Sequence, residues 1–157
     1  MKQISINQAK PNPTGKDRFG SVTPPAQLAG EWVDFKNTGS ENYNLGGLAL
    51  QHIAYTSSYP NGIWDEIMTF SGNLESGKVV RVHSGGEIPT NTLKIEDLVG
   101  ADFHLFTGEN YKWNNANGDS PRLVFKQNGQ SIQVDKATYS ANPAEGKILK
   151  RSGDYLV

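Results

Sequence analysis

Two alternating runs, RLVFKQ and QSIQVDKATYS, meet at Asn128-Gly129. No other feature restricts the fold of this chain as tightly. A two-residue connection between strands needs positive φ at both central positions, and Asn-Gly accepts that better than most pairs. The dipeptide therefore predicts a type I′ hairpin. Inward parity begins on Ile132 and Val134 and shifts to Ala137 and Tyr139, which predicts a β-bulge near Asp135-Lys136.

The same period-two grammar recurs along the chain. GEWVDFKN sets Val33 and Phe35 on one face and Trp32, Asp34 and Lys36 on the other. LALQHIAY puts Leu48 and Leu50 together, IWDEIMTF puts Trp64, Met68 and Phe70 on one side, and KVVRVHS turns Val80 and Val82 in and Arg81 and His83 out. KQISINQ, residues 2–8, reads as a short strand through Ile4 and Ile6, and ADFHLF as another. Thr38 to Asn42, Pro60-Asn61-Gly62 and Ser76-Gly77 are the turns between. Only Ile95 to Val99 fits a helical turn. Pro11, Pro13, Pro24 and Pro25 exclude a regular element from residues 9–29, and residues 141–157 have too few anchors to place. Short strands between turn signals at roughly 8–12-residue spacing predict an all-β sandwich or barrel. At 157 residues the chain is expected to be one domain with its core in residues 30–140.

Composition removes several function classes. There is no cysteine, hence no disulfide framework, thiol nucleophile or thiolate zinc site. Fifteen basic and 16 acidic residues give no global attraction to nucleic acid or anionic lipid, so nucleic acid is a disfavoured partner. No apolar stretch reaches the ~20 residues of a membrane helix. The N-terminus MKQISINQAK lacks the apolar centre of a signal peptide, as expected of a cytoplasmic chain or of one trimmed from a secreted or surface precursor.

The segment YKWNNANGDSPRLVF, Tyr111 to Phe125, is the first candidate site. With Gly118 as position 6 of a calcium loop, Asn115 and Asn117 fall at oxygen positions. Trp113 and Val124 then occupy the ends that need carboxylates, so no metal is expected. The alternative is a turn in which Trp113 packs at the end of the sandwich. Asn114, Asn115, Gly118 and Asp119 would then close the loop through local hydrogen bonds. His52, His83 and His104 show no zinc spacing and read as surface or half-buried strand residues. Glu31, Asp34, Asp65 and Glu66 lie near Trp32 and Trp64, but Glu31 and Asp34 alternate to opposite faces and read as solvated carboxylates. No Gly-x-Ser-x-Gly elbow and no phosphate loop occur. Trp32, Trp64 and Tyr111 are the candidate binding aromatics. No cofactor is implied.

Three stretches in order go beyond generic patterning: Gly30 to Leu50, Met68 to Gly85 and Tyr111 to Ser140. Within them Glu31 to Asn37, Asn44 to Leu50, Phe70 to Val80, Trp113 to Leu123 and Asp135 to Tyr139 resemble, element by element, the lamin-tail domain family. Gln3 to Asn7 resembles that family's first strand. The chain departs from the family pattern in three places. Leu48 stands where the corner carries Trp, WNNANGD has one residue more than its counterpart, and Glu87 to Val99 is longer. The resemblance implies an immunoglobulin-like β-sandwich of about seven to nine strands with no known catalytic centre. In bacteria such domains accompany secreted or surface hydrolases and nucleases as binding or anchoring modules; in lamins they contact proteins and, weakly, DNA. No site residue carries over. The expected function is non-catalytic interaction or attachment with a protein or glycan partner. A carbohydrate-binding module, a small hydrolase built on His83 or His104, and a nucleic-acid-binding domain follow as alternatives.

Overall fold

The computed structural model describes residues 3–157. A six-stranded sheet runs in the order β12-β11-β1-β2-β7-β8, and a four-stranded sheet in the order β10-β9-β4-β5. The first contains β1 (Ile4–Lys10), β2 (Trp32–Asn37), β7 (Val79–His83), β8 (Phe103–Phe106), β11 (Leu149–Ser152) and β12 (Tyr155–Leu156). The second contains β4 (Leu48–Ala54), β5 (Ile63–Thr69), β9 (Arg122–Gln127) and β10 (Gln130–Lys136). A small ribbon pairs β3 (Tyr43–Asn44) with β6 (Asn73–Leu74). Neighbours are antiparallel except β7 and β8, which are parallel.

One apolar cluster joins the two sheets, as in a sandwich. Ile4, Ile6, Val33, Phe35, Val80 and Val82 meet Leu48, Leu50, Ile67 and Leu123, and Leu149, Leu156 and Trp113 belong to the same cluster. A register shift between Ile6 and Gln8 turns Ala9 onto the face of Ile4 and Ile6, so the first strand continues past residue 8 to Lys10. Lys2, in the predicted strand, lies outside the described residues.

The Asn128-Gly129 hairpin forms with φ of 53° and 75° and Gln127 opposite Gln130. The bulge in β10 falls between Gln133 and Asp135, one step earlier than expected. The bulge sets Asp135, opposite Leu123, on the same face as Ile132, opposite Phe125. Asp135 is buried there, whereas Ile132, nearer the hairpin end, is 52% exposed. In β5 the shift opposite Leu50/Gln51 turns Ile67 and Phe70 into the core and leaves Trp64 and Met68 half-buried.

The largest difference lies on the outer face of the six-stranded sheet. Trp32, Asp34, Arg81 and His83 alternate away from the core as expected, yet all four are buried. A second layer covers them. It is built from the irregular segment 11–31 with α1 (Pro25–Leu28), and from residues 86–100 with α2 (Ile95–Leu98). Proline excludes strands there, but not a cover that bonds through its carbonyls. The C-terminal residues are ordered by backbone pairing. β11 pairs with β1, β12 pairs with β11, and Tyr155 bridges Thr138.

Candidate functional site

The 111–120 loop is held from below by two buried carboxyl groups. Asp119 Oδ1 accepts from Ile53 N at 2.9 Å and Ser120 N at 2.8 Å. Its Oδ2 accepts from Asn114 N at 3.1 Å, Asn114 Nδ2 at 2.9 Å and the Nδ1–H of His52 at 2.9 Å. Asn114 Nδ2 also donates to Ile53 O, and Tyr139 Oη donates to Asn114 O at 2.9 Å. Asn115 acts through its main chain, whose oxygen accepts from Asn142 N at 2.6 Å, while its side-chain oxygen is buried without a protein partner. Gly118 has φ +70°, and a Cβ there would lie 2.4 Å from Tyr139 O. Only glycine fits both that conformation and that approach.

Glu31 is the second anchor. Its Oε1 accepts from Ser84 Oγ at 2.5 Å, Lys112 N at 2.7 Å and Trp113 N at 3.3 Å. Burial pushes this carboxyl up to about 8, against the pull of those donors. The expectation of a solvated carboxylate is therefore wrong for Glu31, and also for Asp34, which is 0% exposed. Because the folded pKa lies above the unfolded value of 4.5, the native state keeps a proton that the unfolded chain releases. Glu31 therefore costs stability as pH rises from about 4.5 to about 8. Glu31→Gln should gain on the parent protein across that window by about 1 kcal/mol per pH unit. Urea unfolding of both proteins at about pH 5 and about pH 8 measures this, and parallel pH dependences would refute it.

The outer face of the six-stranded sheet forms a polar layer. Arg81 Nε and Nη2 donate to Asp34 Oδ1 and Oδ2 at 2.7 and 2.8 Å, and Nη1 donates to the carbonyls of Asp97 and Val99. The guanidinium lies 3.6 Å over the Trp32 ring. Asp97 Oδ1 accepts from Lys10 Nζ at 2.7 Å and Trp32 Nε1 at 2.9 Å. Ala29 O can only accept, so His83 Nδ1 carries a proton at 2.6 Å from it; neutral His83 then accepts at Nε2 from His104 Nδ1 at 2.8 Å. Burial holds His83 down at about 4 and lowers His104 as well. His52 and His83 are buried rather than half-exposed, and only His104 reaches the surface.

The structure disperses the three candidate aromatics. Trp32 is 0% exposed and roofed by Arg81, so it offers no platform. Trp64 is half-buried, with Arg122 stacked 3.7 Å above its ring and held there by Gln51. Tyr111 is half-buried and its hydroxyl donates to Asp17 at 3.4 Å. The exposed apolar groups lie elsewhere. Phe103 and Leu105, 51% and 37% exposed, are on β8, whose outer edge is unpaired, and Tyr155 lies on the C-terminal hairpin. A pocket of about 190 Å³ beside β8 is lined by Met68, Glu87, His104, Leu105 and Phe106. Among the described residues, no group of three or more His, Asp or Glu is placed to hold a metal ion. Among the described residues, no helix is long and apolar enough to cross a membrane.

Two facing sheets with this strand order, closed at one end by a carboxylate-anchored loop, define an immunoglobulin-like β-sandwich module. The model of the Lamin Tail Domain family matches residues 1–141, and the chain belongs to that family, whose members are immunoglobulin-like interaction domains. No curated protein matches the chain.

Proposed function

We propose that residues 1–157 act as one non-catalytic attachment module that recognises a protein or glycan through its exposed surface. One observation carries this reading. The groups with the chemistry for catalysis are spent on the fold: Asp119, Glu31 and His52 hold the 111–120 loop, and Asp34, Arg81, Asp97 and His83 hold the cover of the sheet. A general base needs an accessible nitrogen or oxygen within reach of substrate. Among the described residues, His104, with Glu87 in the pocket beside β8, comes near that condition, but its Nδ1 is engaged by His83. The half-exposed Asp65 carboxylate lies 3.3 Å from Nε2 of buried His52, whose other nitrogen is bonded to Asp119.

The test is turnover. The purified protein is expected to leave a panel of p-nitrophenyl esters, glycosides and phosphodiesters unhydrolysed above the buffer rate. Turnover that disappears in His104→Ala, with the fold intact, would overturn the reading in favour of a small hydrolase.

A further inference from the structure

We propose that the groove between β10 and β12 is a binding site for a short neutral glycan, with Tyr155 as its stacking platform. This rests on the attachment-module reading and supplies its partner class. The groove has a volume of about 320 Å³ and is lined by Gln133, Lys136, Thr138, Asp154 and Tyr155. That volume is at the lower end of the roughly 300–1,000 Å³ typical of small-molecule sites.

The position in the fold is a seam. β10 is an edge of the four-stranded sheet, β12 is an edge of the six-stranded sheet, and Thr138 bridges to Tyr155 between them. The frame under the groove is fixed from several sides. Thr138 N donates to Asp154 O at 3.0 Å, Leu156 N donates to Thr138 O at 2.9 Å, and the Thr138 hydroxyl meets Ser120 Oγ at 2.8 Å. Arg151 clamps both oxygens of buried Asp135 and reaches the Lys136 carbonyl at 3.1 Å. Thus the groove has a backbone fixed by hydrogen bonds, with the Gln133, Lys136 and Asp154 side chains at its rim, the arrangement that keeps the ordering cost of binding low.

The lining selects the ligand class. Tyr155 is 59% exposed, although the next residue, Leu156, is buried in the core. Tyr155 is the one aromatic residue that lines the groove. Around it stand an amide, an ammonium, a carboxylate and a hydroxyl, so donors and acceptors are mixed at one rim. A pyranose has a flat face of C–H groups and an edge of hydroxyls that both donate and accept. Its face matches the ring, and its edge matches the rim. Lys136 and Asp154 cancel in charge, which disfavours phosphates and uronates, and the polar lining disfavours acyl chains.

The test uses the whole chain with cellotetraose, xylotetraose, mannotetraose and chitotetraose as separate probes, followed by amide chemical shifts. At least one probe should give saturable shifts confined to Gln133, Lys136, Thr138, Asp154, Tyr155 and their neighbours. Tyr155→Ala should weaken that binding at least about tenfold, the scale of one lost aromatic stack, and Tyr155→Phe should largely retain it. Four silent probes with a folded protein, or shifts centred on Trp64 and Arg122 instead, would overturn the proposal while leaving the attachment-module reading in place. Cleavage of a probe bound through Tyr155 would support the site and overturn the non-catalytic reading.

Discussion

Asp119→Ala is expected to lower the unfolding free energy by about 3 kcal/mol or more, and the melting temperature by about 10 °C. The carboxylate is buried and accepts from five donors, three of them backbone N–H groups. Alanine removes the acceptor and leaves the donors of Ile53, Asn114 and Ser120 in place. A buried donor without a partner costs about 1–3 kcal/mol, and water entering the space Asp119 vacates recovers only part of the total. The loss should spread beyond the loop, because His52 sits on β4 and packs edge-on against Trp113, which belongs to the core cluster. Asp119→Asn keeps one oxygen acceptor and should lose less. Calcium should leave the melting temperature unchanged in the parent protein, since both Asp119 oxygens already face N–H groups. Equilibrium urea unfolding decides the matter. A loss below about 1 kcal/mol would mean that the loop is held by Gly118 and the Asn142 bond without its carboxylate.

How much of this was legible in the sequence depends on the range of the interaction. The Asn128-Gly129 hairpin is a local event, and its two positive φ angles follow from residue chemistry alone. The inward set Val33, Phe35, Leu48, Leu50, Val80 and Val82 was equally legible, because alternation fixes which side of a strand each residue takes. Alternation does not say what lies on the other side. Trp32, Asp34 and His83 were read as outward and turned out to lie beneath residues far along the chain, such as Asp97 and Ala29. One signal was available. Asp34 and Arg81 each sit between two apolar neighbours, Val33 and Phe35 in one strand and Val80 and Val82 in the other, carry opposite charges, and are direct cross-strand partners once β2 and β7 are paired. Tyr155 escaped notice for a different reason. SGDY looks like a polar tail until Gly153, at φ +60°, turns the chain so that β12 can pair with β11 and meet Thr138.

The second large effect belongs to that cross-strand pair. Asp34→Ala is expected to destabilise the protein by about 3–5 kcal/mol, because it leaves the Arg81 guanidinium buried without its counter-charge. Arg81→Met should cost a similar amount by stranding Asp34. The double variant Asp34→Leu/Arg81→Met should recover most of either loss. Burial pushes the Asp34 carboxyl up to about 6 even though Arg81 grips both its oxygens. Desolvation therefore outweighs the attraction, the condition under which an apolar pair of similar size replaces an ion pair at little cost. Recovery should still be incomplete, since Arg81 also supplies the Asp97 and Val99 carbonyls and covers the Trp32 ring. Urea unfolding of the two single variants and the double variant gives the coupling energy directly. A double variant as unstable as the singles would place the energy in those carbonyls and that ring. Arg81 would then act chiefly as the peg that fastens the 86–100 segment over the sheet, with Asp34 only keeping it charged and in line.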